Sequence, residues 1–167
     1  GRLNVGEAAR ETGAVFAREA AARGIGVVLA PVLDLCPAGS GGVIGDRSFG
    51  EDPALVWGMA RAFSLGVNEG GALPVGKHFP GHGAAAEDSH KRLAWLRLSG
   101  EALERTLAPF RLAAEAGLPA IMVGHIACAA LDPENPDTPA SLSAAMVTGL
   151  LRETWDTTVW SSRTTLT

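Results

Sequence analysis

Val27-Val28-Leu29-Ala30-Pro31-Val32-Leu33 is a continuous apolar run that ends on Asp34. Its length suits a strand, and its lack of polar alternation suits a strand buried on both faces, as in a parallel sheet. Gly24 and Gly26 stand before it, and a Gly-, Pro- and Ser-rich loop follows through Gly50. Leu73 to Phe79 and Ala120 to Ile126 read as two more strands. Asn4 followed by Glu7 reads as a capping box that opens a helix over Val5 to Arg23. Asp52-Pro53 is a cap with Pro in the first turn of a helix that runs to about Glu69. Further helices are predicted from about Glu101 to Ala116, and from Ser143 to near Glu153. Pro80 to Ser99 reads as one long loop.

Helix, strand, helix, strand, helix, strand, helix is the rhythm of βα units around a parallel sheet. The strand ends carry Asp34, Lys77 with His78, and His125. Polar residues at the C-terminal ends of successive strands are what the active face of a (β/α)8 barrel requires. An open doubly wound sheet places its site there too, and periodicity does not separate the two. The strands are too few to close an eight-stranded barrel.

The 167 residues suit one domain. A hydrophobic share of 47% and a charged share of 19% allow a buried core. The net charge of −4 argues against a nucleic-acid partner, which calls for a basic face. Cys36 and Cys128 are far apart and form no C-x-x-C pair, so the expected setting is a reducing one, the cytoplasm. No apolar run is long enough to cross a bilayer, and no membrane partner is expected. Gly1-Arg2-Leu3-Asn4 has neither an initiator Met nor a signal pattern, and reads like the interior of an open reading frame.

The densest chemistry lies in Lys77-His78-Phe79-Pro80-Gly81-His82-Gly83-Ala84-Ala85-Ala86-Glu87-Asp88-Ser89-His90, which holds three of the four histidines. Lys77 and His78 leave a buried strand at its C-terminal end and offer a cation and a hydrogen-bonding ring to a pocket. Pro80, Gly81 and Gly83 exclude helix and permit tight turns, so a bulky polar substrate can approach closely. Asp88 and His90 are two apart on a loop. That spacing lets the carboxylate fix the imidazole tautomer and leaves the other ring nitrogen to move a proton. Solvated or capping histidines are the bland alternative, and the clustering of titratable groups favours function. His78 and His82 are four apart, but Pro80 and Gly81 keep them off one helix face, so no metal site is expected. No cofactor is expected either.

A second cluster is Gly45-Asp46-Arg47-Ser48-Phe49-Gly50-Glu51-Asp52. Arg47 either grips a sugar hydroxyl or carboxylate in fork geometry, or forms a structural salt bridge with Asp46 or Asp34. Asp34 reads as an anchor for this loop rather than a substrate contact. His125 either lines the pocket or ties down the next loop. Trp57 and Trp95 read as packing residues rather than sugar platforms.

Ala30-Pro31-Val32-Leu33-Asp34, Ile44-Gly45-Asp46-Arg47-Ser48-Phe49-Gly50 and the Lys77–His90 stretch resemble glycoside hydrolase family 3. The resemblance is to its bacterial β-N-acetylhexosaminidase branch and runs from about Val5 to Trp155. It implies the central part of a (β/α)8 barrel, with first and last strands missing. It implies His90 as general acid/base with Asp88 as its partner, and Arg47, Lys77 and His78 as the residues that hold N-acetylglucosamine. The implied reaction is retaining double displacement that releases terminal N-acetylglucosamine from β-glycosides such as cell-wall fragments. Phosphorolysis is a variant, because a histidine acid/base repels an anionic acceptor less than a carboxylate does.

The resemblance also implies an aspartate nucleophile in a strand like D-G-V-V-F-S-D-D-L after the Leu150-Leu151-Arg152-Glu153 helix end. The chain instead ends Trp155-Asp156-Thr157-Thr158-Val159-Trp160-Ser161-Ser162-Arg163-Thr164-Thr165-Leu166-Thr167, with no aspartate after Asp156. One deleted nucleotide would account for this, the alternative being a genuinely divergent tail. With suitable synonymous codons, Y-D-G-V-V-F-S-D-D-L-D-M shifted by one base reads as the run from Thr157 to Thr167, followed by a stop. Residues 1–156 are thus expected to be a partial barrel domain and 157–167 an out-of-frame tail, with Thr164 at the nucleophile's place. The alternative function is a non-catalytic remnant with at most weak sugar binding.

Overall fold

The computed structural model describes residues 4–36, 43–85, 93–156 and the main chain of 160–163. Helix α1 (Val5–Ala21) opens on Asn4, whose side chain accepts from the amide of Glu7, and its chain is released at Gly24, φ 75°. Strand β1 (Val27–Val28) follows. Helix α2 (Pro53–Glu69) opens on Asp52, whose carboxylate accepts from the amide of Leu55 at 2.8 Å, with Pro53 in its first turn. Both caps agree with the sequence reading because they are set by residues three apart.

Strands β2 (Leu73–Pro74) and β3 (Gly76–Phe79) come next, then β4 (Ala94–Trp95), helix α3 (Gly100–Glu115), β5 (Ala120–Val123) and β6 (Ile126–Ala127). A 3-10 turn at Ala140–Leu142 leads into a π-helix, Ala145–Thr154, and the main chain of Trp160–Arg163 forms β7. Strand β1 runs parallel to β2, and β3, β5 and β7 form a parallel sheet in that order. A parallel bridge between Val32 and Lys77 joins the two groups. Successive strand segments therefore lie side by side in chain order. Helix α1 packs on α2 and α2 on α3, each touching its own strand. This is an arc of a (β/α)8 barrel.

Three expectations need correction. The run Val27 to Leu33 is not one strand buried on both faces. Only Val27–Val28 is continuous strand, and pairing resumes at Val32 after Pro31, which has no amide to donate. Val28 and Ala30 pack toward the helices, whereas Val27 and Leu29 are 45% and 53% exposed on the opposite face. Second, the expected loop Pro80 to Ser99 contains β4, paired with β6 through Ala94–Ile126 and Trp95–Ala127. Third, Ala120 to Ile126 is interrupted at Gly124-His125. The Gly124 amide turns to the carbonyl of Phe79, and the chain beyond pairs with β4 instead of β3.

The main core gathers Leu33, Phe79, Leu107, Phe110, Ile121, Ile126 and Met146, among others, between sheet and helices. Phe79 stands at its centre, edge-on to Phe110 and to Trp155 with centroids 5.8 Å away in each case. It is the last residue of β3, so the core fixes the strand end that carries Lys77 and His78.

Candidate active site

Asp34 follows the first strand region and is fully buried. Its Oδ2 accepts from the His78 amide at 3.1 Å and lies 2.7 Å from His78 Nδ1, while its Oδ1 accepts from the His82 amide at 2.5 Å. Its carbonyl accepts from Ser48 Oγ at 2.7 Å. One residue thus ties both loops expected from the sequence to the sheet: the carboxylate holds the turn after β3, and the carbonyl holds the loop 43–50. A buried carboxylate needs such partners, because an unpaired charge there is costly.

The turn Pro80–Gly83 is close-packed. Gly81 has φ 130°, a conformation that favours glycine, and a side chain on Gly83 would collide with the carbonyl of Leu35. The peptides Lys77–His78 and Phe79–Pro80 are cis. The rings of His78 and His82 meet edge to face with centroids 6.0 Å apart, and His82 is buried. The His78 side chain keeps 17% of its surface open.

Lys77 is half-buried. Its ammonium pKa is lowered, first by burial and then by the Arg47 guanidinium, with Asp34 pulling the other way. Two cations thirty residues apart in the chain, one in the loop 43–50 and one in β3, therefore act on each other. Arg47 donates from Nε to the carbonyl of Ile44 at 3.3 Å and from its terminal nitrogen to that of Val43 at 2.8 Å. Among the described residues it makes no salt bridge with Asp46 or Asp34. The Arg47 charge thus acts on Lys77, which stands beside His78 near the C-terminal end of β3.

His125, just beyond β5, lies with Nδ1 2.8 Å from Ser141 Oγ, and so ties the loop 128–143 to the sheet. Trp57 packs against the main core, and the Trp95 ring lies under the Arg97 guanidinium at 5.3 Å. Asp88 and His90 lie outside the described residues, as does Thr164. Among the described residues no group of three His, Cys, Asp or Glu side chains is placed to hold a metal ion. Sequence reasoning missed Ser48, Ser141 and the carboxylate of Asp132. It also assigned Asp34 only to the 45–52 loop. Nothing in local spacing links Asp34 to a histidine 44 residues away.

The model of the Glycosyl hydrolase family 3 N terminal domain matches residues 2–159. A beta-hexosaminidase of Thiobacillus denitrificans is 43% identical over 148 residues, 88% of this chain and 40% of that protein. The structure of a glycoside hydrolase family 3 beta-N-acetylglucosaminidase from Paenibacillus sp. superposes with a TM-score of 0.86 at 35% identity, over 96% of this chain and 31% of the other. That of NagZ from Neisseria gonorrhoeae in complex with N-trifluoroacetyl-D-glucosamine superposes with a TM-score of 0.83 at 36% identity, over 93% of this chain and 45% of the other. The chain spans about 40% of the length of the curated relatives it matches.

Proposed function

The chain belongs to glycosyl hydrolase family 3, and from that premise we propose that it carries the sugar grip and the proton-transfer group of a retaining β-N-acetylhexosaminidase. The observation that carries this reading is the grouping of Arg47, Lys77 and the Asp34-held His78 at the end of β3. A related structure was solved with an N-acylated glucosamine, a ligand rich in hydroxyl and carbonyl oxygens. Lys77 and Arg47 only donate hydrogen bonds, which suits oxygens that accept. The ligand class is a terminal N-acetylglucosamine, as on cell-wall fragments.

His90 is the proposed acid/base, with Asp88 behind it. His90 gives its proton to the glycosidic oxygen as the bond to the anomeric carbon breaks, and later takes one from the attacking water. The scheme needs a carboxylate to hold the anomeric carbon in between. The sequence after Asp156 has none, and the residue after β7 is Thr164. A neutral hydroxyl does not replace a carboxylate in forming and stabilising that intermediate. Residues 1–167 therefore supply the sugar grip and the acid/base group but no nucleophile, and taken by themselves they are expected to bind the sugar without turning it over.

Calorimetric titration with N-acetylglucosamine and incubation with an aryl N-acetyl-β-D-glucosaminide test both halves. Saturable binding that falls about tenfold or more in Lys77→Ala is expected, with no aryl release above the blank. Absence of saturable binding overturns the sugar site. Ready turnover overturns the missing nucleophile.

A further inference from the structure

We propose that Asp34 is a positioning residue that holds the His78 ring in the Nδ1–H tautomer, so that His78 Nε2 accepts a hydrogen bond and the site requires a sugar hydroxyl that donates one. An ionised carboxylate accepts and does not donate. With Oδ2 2.7 Å from His78 Nδ1, the shared proton sits on Nδ1. The same oxygen takes the His78 amide, and Oδ1 takes the His82 amide, so main chain and ring are fixed against one buried group. The ring therefore has little freedom to rotate or exchange its nitrogens. Nε2 is its one remaining hydrogen-bonding atom, and the ring's bond to Asp34 runs through Nδ1, leaving Nε2 to face the site.

The consequence is a directional pattern. Lys77 and Arg47 only donate, and with its ring proton on Nδ1 alone His78 offers only an acceptor. A hydroxyl fits all three, since its oxygen accepts from a cation while its O–H is given to Nε2. A fluorine or a methyl ether at the same carbon has an acceptor but no proton to give. It leaves Nε2 unsatisfied, and a site built to bond a hydroxyl rejects the analogue lacking it. Removing the carboxylate takes away the acceptor that holds the proton on Nδ1 and frees the ring to take the Nε2–H form.

The statement about hydroxyls rests on the sugar reading above; the statement about the tautomer does not. The test is two-dimensional NMR of the ring nitrogens in the full chain labelled with 15N-histidine, the His78 signals being assigned through His78→Gln. The wild type is expected to show His78 with its single ring proton on Nδ1, and Asp34→Ala to shift the population toward Nε2–H. A neutral Nε2–H ring, or a doubly protonated one at neutral pH, in the wild-type chain overturns the proposal, whatever Asp34→Ala does. In the second arm, singly deoxyfluorinated N-acetylglucosamines are titrated against wild type and His78→Ala. One position is expected to lose about tenfold or more in the wild type and to lose little more in the variant. An Nδ1–H ring with no such coupled position overturns the hydroxyl requirement. No binding of N-acetylglucosamine itself overturns the sugar reading and leaves the tautomer result standing.

Discussion

Ser143 Oγ lies 2.5 Å from Asp132 Oδ2, and the same hydroxyl accepts the amide of Met146 at 3.2 Å. Asp132 Oδ1 accepts from the amide and side chain of Asn135 at 3.1 and 3.2 Å. Asp132 and Ser143 are both buried, so this chain of bonds fastens the loop after β6 to the first turn of the π-helix. Helix starts leave unpaired amides, and a serine oxygen satisfies one of them. Ser143→Ala removes the cap and takes from the buried carboxylate the partner of its Oδ2. It is expected to lower stability by about 1–2 kcal/mol, read as a fall in the urea midpoint. An unchanged midpoint rejects this account.

The same carboxylate has a pH signature. Its pKa is lowered, first by the Ser143 hydroxyl and then by the two bonds from Asn135, against an opposing effect of burial. A group with a depressed folded pKa stabilises the fold fully above its unfolded value, near about 4. That contribution is lost as pH falls from there through the folded value. Wild type is therefore expected to exceed Asp132→Asn in stability at pH 7, with the gap closing on acidification below about pH 4. A gap that stays constant to low pH counts against it.

Gly66 and Gly13 set how closely α1 and α2 approach. A side chain on Gly66 would strike the carbonyl of Arg10, and one on Gly13 that of Phe63. Both obstacles are backbone and cannot swing aside. The Arg10–Glu69 ion pair, with Nε 3.0 Å from either carboxylate oxygen, lies beside the contact but is half-exposed and adds little. Gly66→Ala is expected to cost about 1–3 kcal/mol from overpacking, despite the better helix propensity of alanine. Thermal unfolding of Gly66→Ala beside Gly58→Ala, where a side chain meets open space, separates the two effects.

What could be read in the chain follows from the range of the interaction concerned. Asn4, Asp52 and Ser143 act over three residues, so their helices are legible, as is the arrival of Lys77 and His78 at a strand end. β4 is only two residues long and is defined by a partner more than thirty residues on, which leaves no periodic trace. The exposure of Val27 and Leu29 shows that an apolar run does not reveal whether anything covers its second face. The Asp34–His78 contact spans 44 residues, so its two members were visible singly and their pairing was not. Arg47 gave no local clue to its choice. Main-chain carbonyls of Val43 and Ile44, rather than either nearby carboxylate, hold its guanidinium.

Lys77 provides the last prediction, because its fold cost and its proposed use oppose each other. Burial and the nearby Arg47 charge lower its pKa from the ordinary lysine value, so the folded state resists its protonation. In the window between the folded and unfolded values the unfolded chain holds more protons, and stability rises with pH. Below that window the cost is present in full. Lys77→Met keeps the length of the side chain without the charge. It is expected to be more stable than wild type at pH 7, with the difference vanishing as pH climbs through the lowered value toward that of a free lysine. The same variant is expected to bind N-acetylglucosamine more weakly, as when a site sacrifices stability for function. Arg47→Ala should raise the Lys77 pKa, measured by NMR of the lysine side chain. If Lys77→Met is less stable at pH 7, or the Lys77 pKa ignores Arg47, the two cations do not share a site.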